Sequence, residues 1–416
     1  MEAFFELKKP DEVFEIIDRL EPLEEETVPL EESLGRVLSR DLLAPEDLPG
    51  FHRSTMDGYA VQARGTFGAT ESLPALFEVV GEVSMGRNAP IIVAEGEAVK
   101  IPTGGMLPEG ADGVVMIEYC ALLDDKTIEI SKAISPLENI IQPGDDFKVG
   151  AVFLQKGQRL RPQDLGVVAG LGFSHIPVFC IPKVAIISTG DEIVQVEKKP
   201  LSGQVRDINR YTLGAFCREM GAEPLPMGIC RDDFQMLKDM VQEGAERADS
   251  VWVSGGSSVG TRDLTLKVFE TLPGFELLVH GISISPGKPT ILGKCGARTF
   301  VGLPGHVASA LVVAQVFMSR VILRLRGEDH FRAYAFREVE AELSQNVESA
   351  NGREDYLRVR LTQEKGRNLA KPVFGKSGLI STLVDADGLV KIDMNTEGLY
   401  QGQVVKVMLF RQGGLS

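Results

Sequence analysis

The sequence predicts a multidomain α/β protein built around a mostly parallel sheet, and three observations carry that reading. Between residues 183 and 253 short apolar runs alternate with amphipathic stretches, the pattern of a parallel sheet covered by helices. Residues 48–147 are rich in Gly and Pro, with short apolar runs at 77–80, 114–117 and 127–130, as in a small β-domain. Beyond about Arg326 only strand-like runs remain, at 336–343, 356–361, 389–393 and 403–410. Asn351-Gly352, Asp387-Gly388 and Glu397-Gly398 separate them. A chain of 416 residues has room for several such domains.

Taken in order, the first forty-odd residues read as helical. Phe14, Ile17 and Leu20 recur at helical spacing, and Leu34, Val37 and Leu38 do so again after the acidic run at 24–26. Turns in the β-domain are marked by Pro102-Thr103-Gly104-Gly105 and Pro143-Gly144. Helix returns at 162–170. The α/β block then runs as strand 183–188, helix 209–220, strand 224–230, helix 234–245 and strand 249–253. The apolar stretch 307–323 contains Gln315 and Arg320 and falls short of the roughly 20 apolar residues of a membrane span. It is expected as a buried helix.

Composition narrows the function. With 59 acidic against 44 basic residues the net charge is −15, so neither a nucleic-acid surface nor an anionic-membrane surface is expected, because both need clustered Lys and Arg. The N-terminus carries acids where a secretory leader would carry a basic head and an apolar run. The five cysteines (Cys120, Cys180, Cys217, Cys230 and Cys295) are odd in number and lack a C-x-x-C pair, which supports neither a disulfide framework nor a zinc site. A cytoplasmic protein is expected.

In an open parallel sheet the ligand lies outside the carboxyl ends of the strands, so the chemistry is sought in the loops that follow them. Four loops share a composition: Ser188-Thr189-Gly190-Asp191-Glu192, the run from Ser254-Gly255-Gly256-Ser257-Ser258 to Asp263, Ser285-Pro286-Gly287-Lys288-Pro289, and Gly302-Leu303-Pro304-Gly305-His306. Small residues let backbone N–H groups approach an anion, hydroxyls add donors, and a following helix points its positive end there. Phosphate or another oxyanion is the natural guest. Gly287-Lys288 is followed by Pro289 where a P-loop needs Ser or Thr, and no G-x-G-x-x-G opens the first helix.

Carboxylates near these loops are Asp191, Glu192, Asp207 and Asp263. They are either solvated helix caps or hard oxygen ligands for Mg²⁺ between protein and phosphate, and spacing alone does not choose. A rival reading starts from Gly256-Ser257-Ser258-Val259-Gly260, which fits the G-x-S-x-G elbow of a serine hydrolase with Ser258 as nucleophile. Against it, the doubled glycine and the further residues to Asp263 make a long loop, whereas an elbow turns straight into its helix. Of the histidines, His306 follows Pro304-Gly305 at an expected helix start, and His52 begins a dense segment ending at Val61.

The ordered motifs carry a resemblance. STMDGYAV (54–61), IPTGGMLPEGAD (101–112), PGDDF (143–147), STGDEIV (188–194), RDINRY (206–211), SGGSSVGTRD (254–263), PGKP (286–289) and GLPGH (302–306) resemble the molybdopterin molybdenumtransferase family of the MoeA type, to which the C-terminal part of gephyrin also belongs. The resemblance implies an elongated homodimer of four-domain chains. Its parts would be a helical linker domain (1–45 and 148–180), an inserted β-domain (46–147), a molybdopterin-binding α/β domain (181–328) and a C-terminal β-barrel-like domain (329–416).

The implied reaction joins molybdate to adenylylated molybdopterin, releases AMP and is assisted by Mg²⁺, the last common step of molybdenum cofactor synthesis. The preceding molybdopterin adenylyltransferase and the recipient molybdoenzymes are the implied partners; a non-catalytic molybdopterin-binding scaffold, as in gephyrin's second role, is the other reading of the family. By motif matching, Asp263 with Glu192 or Asp207 would hold the metal, while Lys288, Arg353 and Ser377 would contact molybdate. The glycine and hydroxyl loops, with Asp191 and His306, would bind the substrate. Asp57, Thr103 and Asp146 match activity-linked residues that the family brings to the site across the dimer interface. One position departs: the family often has Lys where this chain has Ser285, leaving Lys294 or Arg353 to compensate or metal preference to shift toward tungstate.

Overall fold

The computed structural model describes residues 7–255, 259–328, 338–364 and 366–410, with only the backbone described for 259–263. The chain divides into two compact units, one of Asp41–Gln155 with Gln163–Ser174, the other of the remainder.

The smaller unit is built on a six-stranded sheet in the order Gly113–Met116, Gly58–Val61, Glu97–Ile101, Ala75–Glu82, Thr127–Ile130, Cys120–Leu122. Side chains alternate across a strand, so Gly58–Val61 sends Tyr59 and Val61 into one cluster, with Phe77, Val115 and Ile128, and Ala60 into another, with Val99, Ile101 and Val114. Both faces are covered, which is why this strand is apolar throughout rather than alternating. Gly58 is required by proximity: a Cβ there would lie 1.9 Å from the carbonyl oxygen of Val115 on the neighbouring strand.

The larger unit holds the α/β sheet, ordered Glu223–Cys230, Lys183–Thr189, Ser250–Gly255, Arg298–Leu303, Ile291–Cys295, Phe275–His280. The first four strands are parallel, and the last two join antiparallel. The expected mostly parallel sheet is present, together with an antiparallel edge. Helices Asn209–Glu219, Phe234–Arg247 and Val259–Glu270 cover it. The second is a clear amphipathic element: Asp233 caps it by accepting from Met236 N–H at 2.7 Å, and Leu237, Val241 and Gly244 repeat on the buried side.

The stretch at 307–325 is helical, as Val307–Val313, a π turn Ala314–Met318 and Ser319–Leu325. It is long and apolar enough to cross a membrane, yet Val313, Phe317 and Ile322 are fully enclosed in the protein's largest cluster. Helix Pro10–Asp18 lies against it, with Phe14 stacked on Phe317 at 5.1 Å and Arg320 Nε donating to Asp18 Oδ1 at 2.7 Å. The helical reading of Leu34, Val37 and Leu38 is corrected. Leu34 is exposed, whereas Val37 and Leu38 are buried and form β-bridges to Arg159 and Val178. Adjacent buried residues with their backbone paired on both sides satisfy a covered extended segment as well as they satisfy a helical stripe.

The final strands close into a five-stranded barrel: Glu354–Glu364, Arg367–Pro372, Glu338–Leu343, Val404–Leu409 and Gly388–Ile392, the last pairing again with the first. A short strand, Ile284–Ser285, adds to it in parallel at Glu354 and Asp355. All five cysteines are free thiols.

Gly58→Ala is expected to destabilise the smaller unit by about 2 kcal/mol or more, the cost of forcing a methyl into packed backbone. Denaturant unfolding followed by hydrogen exchange in 58–61 and 113–116 checks this, and wild-type protection in the variant would rule out the close approach.

Candidate functional site

The loops that follow the strands build two adjoining cavities in the larger unit. The first, about 280 Å³, is lined by Glu192, Asp207, Asn209, Ser254, Gly305 and His306, among others. Its hydrogen bonds connect four strand-end segments, at 188, 207–209, 254 and 305. Ser188 Oγ donates to Asp207 Oδ1 at 2.8 Å, and Arg210 N–H donates to the same oxygen at 3.2 Å. Asn209 Nδ2 donates to Ser254 Oγ at 2.6 Å and to the carbonyl of Gly305 at 2.8 Å. A carbonyl only accepts, so this contact fixes which way the amide points. Asp207 Oδ2 and Asn209 Oδ1 are buried and receive no hydrogen bond from any described residue.

The second cavity, about 380 Å³, is lined by Ser285, Lys288, Ser309, Arg353 and Ser377, with Pro286, Gly287 and others. Gly287 turns the loop at φ +116°, and a Cβ there would strike Val313 Cγ2 at 2.5 Å. Lys288 is exposed and forms no ion pair with a described residue. Arg353 Nε lies 3.0 Å from Asp355 Oδ1 as an ion pair without hydrogen-bond alignment, and Asp355 Oδ2 accepts from Ser349 Oγ at 2.6 Å. The two cavities meet where Ser377 Oγ lies 3.0 Å from His306 Nδ1.

Two expectations change. The Lys288 loop runs into strand Ile291–Cys295 rather than into a helix, and the helix end at this cavity is instead the first turn of Val307–Val313, which contributes Ser309. Lys294 is paired with Glu276 across the antiparallel edge at 3.2 Å and lines neither cavity, so beside Ser285 the second cation is Arg353. Gly190 and Asp191 belong to the first loop, where Asp191 Oδ1 accepts from Asp232 N–H at 3.4 Å. Gly255 ends its strand against Thr189, and Pro304 is buried before His306. Gly256, Ser257 and Ser258, and with them the serine-hydrolase nucleophile, lie outside the described residues, as does the side chain of Asp263 on helix Val259–Glu270.

Sequence reasoning missed Asn209 and Asp232. Both follow strand ends, so the rule that selected the four loops would have found them had it been extended to Cys230-Arg231-Asp232 and Asp207-Ile208-Asn209. Desolvation, then the charges of Asp191 and Glu192, hold the Asp232 carboxyl above its ordinary value against the hydrogen bond from Thr189 Oγ1. Among the described residues no three His, Cys, Asp or Glu side chains form a metal cage. Mg²⁺ is commonly held by one or two carboxylates plus substrate phosphates, and the carboxylates Glu192 and Asp207, lining one cavity, are of the type that manner of binding needs.

In the smaller unit Asp57 and Thr103 are in contact: Asp57 Oδ1 accepts from Thr103 N–H at 2.7 Å and from Thr103 Oγ1 at 3.1 Å. Asp146 lies 3.9 Å from Arg53 in an exposed ion pair. The Thr103 backbone N–H, and then its hydroxyl, hold the Asp57 carboxyl below its ordinary value. Because the folded value is lowered, this stabilisation is present above the ordinary carboxylate range and is lost as pH falls through the lowered value. In Thr103→Val the Asp57 pKa is expected to rise only part of the way, since the backbone donor remains. Carboxyl-carbon NMR titration measures it; an unchanged value would remove the hydroxyl from the account.

Comparison with known proteins covers nearly the whole chain. Residues 8–172 match the MoeA N-terminal region (domain I and II), 185–324 a probable molybdopterin binding domain, and 340–410 the MoeA C-terminal region (domain IV). A molybdopterin molybdenumtransferase of Haemophilus influenzae is 32% identical over 94% of this chain and 95% of its own length. One of Bacillus subtilis is 31% identical over 94% and 90%. A crystal structure of a molybdopterin biosynthesis MoeA protein from Pyrococcus horikoshii superposes with a TM-score of 0.84 at 35% identity, covering 98% of this chain and all of that one.

Proposed function

We propose a reaction for this chain from one premise: it belongs to the MoeA family of molybdopterin molybdenumtransferases. The reaction is insertion of molybdenum from molybdate into adenylylated molybdopterin, with release of AMP. Molybdate gives up two oxygens. One is taken up as the P–O–P link breaks into two phosphates, and the other leaves as water with the two dithiol protons, so that molybdenum retains two oxygens and gains two sulfurs.

The observation that supports this most is the adjoining pair of cavities, one bordered by cations and one by hydroxyls and carboxylates. Lys288, Arg353 and Ser377 would hold molybdate, a tetrahedral dianion, in the cation-bordered second cavity. Arg353 suits the task because its carboxylate neighbour Asp355 sits against Nε, away from the two terminal nitrogens that can donate as a fork. Ser188, Gly190, Asp191, Ser254, Gly255, Pro304, Gly305 and His306 would form the bed of the anionic substrate, with Gly256, Ser257 and Ser258 completing the second loop. His306, bonded to Ser377, would stand where oxyanion and substrate meet. Asp263 with Glu192 or Asp207 would hold Mg²⁺, which when bound offsets charge on the phosphate being cut.

The working unit is a homodimer in which Asp57, Thr103 and Asp146 contribute across the interface, and the setting is cytoplasmic. A molybdopterin adenylyltransferase supplies the substrate and molybdoenzymes receive the product.

Purified protein is expected to release AMP from adenylylated molybdopterin only with molybdate and Mg²⁺ together, and Asp263→Ala to lose this at least a hundredfold. Equal release without molybdate would overturn metal insertion. Arg353→Ala is expected to raise the molybdate concentration for half-maximal release about tenfold, the scale of one charge-assisted hydrogen bond; an unchanged value places the oxyanion elsewhere.

A further inference from the structure

The first cavity carries two buried acceptors that the protein itself leaves unused. Asp207 and Asn209 are 5% and 8% exposed, both line the cavity, and Asp207 Oδ2 and Asn209 Oδ1 accept nothing from the described residues. Their other polar atoms are fully engaged. Asp207 Oδ1 takes Ser188 Oγ and Arg210 N–H, and Asn209 Nδ2 is divided between Ser254 Oγ and the Gly305 carbonyl. Neither side chain can therefore turn to satisfy its free oxygen without breaking the bonds that join the loops. Buried polar atoms are almost always hydrogen-bonded, so two exceptions in one cavity call for donors from a guest.

The proposed substrate has two ends that could enter, and they differ in what they present. Adenine offers one amino group flanked by ring acceptors. The aminopyrimidinone edge of a pterin offers a ring N–H and an amino group side by side. We propose, resting on the reaction assigned above, that Asp207 and Asn209 are specificity-determining residues that accept the two donors of the pterin edge, so that the pterin end occupies this cavity. Asn209 has a second task as a positioning residue, since its amide ties the 254 loop to the 305 loop. Glu192 is then left as the partner of Asp263 for the cation.

The test uses pterin and lumazine, which differ by an amino group in place of a carbonyl oxygen, with AMP as a third probe, each titrated against the full chain without Mg²⁺. Wild type is expected to bind pterin at least tenfold tighter than lumazine, because a site built to accept an amino group is left with an unpaired acceptor when it is missing. AMP is expected not to displace pterin. In Asp207→Asn the Arg210 N–H keeps the amide oxygen at the Oδ1 position and places NH₂ against the ligand's donor, so the pterin preference is expected to shrink or reverse. Asn209→Leu, similar in size, is expected to weaken pterin about tenfold or more, with the thermal unfolding midpoint reporting whether it folds.

Equal binding of pterin and lumazine by wild type would overturn the proposal without using any variant. So would displacement of pterin by AMP, or loss of binding to Mg²⁺ alone in Asn209→Leu with pterin affinity unchanged. Molybdate-dependent AMP release with no pterin preference would leave the reaction and remove this assignment, whereas pterin preference without such release would keep the assignment and remove the reaction.

Discussion

The cation-lined cavity depends on a pairing only two residues long. Ile284 and Ser285 lie beside Glu354 and Asp355 as a parallel strand, and Glu354 N–H donates to the Ser283 carbonyl at 2.9 Å. That contact brings the Lys288 loop of the α/β sheet to the barrel turn that carries Arg353. It is anchored from below. Glu354 is buried and accepts from the Tyr356 hydroxyl at 2.8 Å, and burial followed by the Glu354 charge pushes the Tyr356 phenol well above its ordinary value. Tyr356 therefore stays a donor at any ordinary pH and keeps the pairing strand in register.

Charge on the barrel is arranged so that few cations are free. Arg360, Arg367, Lys371 and Lys406 are each matched with a carboxylate, and Lys391 with two. Such exposed pairs add little stability, but they neutralise positive charge locally. In a chain of net charge −15 most of the surface repels an oxyanion, whereas Lys288 and Arg353 place two cations on the wall of one cavity. Ser285 beside them adds a hydroxyl and no charge, so among the described residues lining that cavity the cations are Lys288 and Arg353.

Much of this was legible in the sequence because local pattern and tertiary role agree. The strand at 183–189 is apolar and central, the helix at 234–247 carries its own cap and stripe, and the glycine-rich loops fall at strand ends, where topology alone calls for a ligand. The rest was hidden for physical reasons. Strand Phe275–His280 lies at a sheet edge and exposes Glu276 and Leu277, so it shows neither a continuous apolar run nor a clean alternation. Strand Arg367–Pro372 has the same defect. The meeting of Lys288 with Arg353 is set by a strand pairing between distant segments, which no local window contains. Asn209 looked like a helix-start residue, and only the bonds to Ser254 and Gly305 show that it ties loops together.

The buried helix at 307–325 has a consequence for how the chain is made. Apart from Tyr356 and Leu389, every fully buried residue of its cluster outside the helix belongs to a segment earlier in the sequence, from Val13 to Leu303. By the time this most apolar segment leaves the ribosome, nearly all the surfaces that will enclose it have already been synthesised. A sequence that could be mistaken for a membrane span is thus placed late in the order of synthesis, where its exposure to solvent and to other chains is brief.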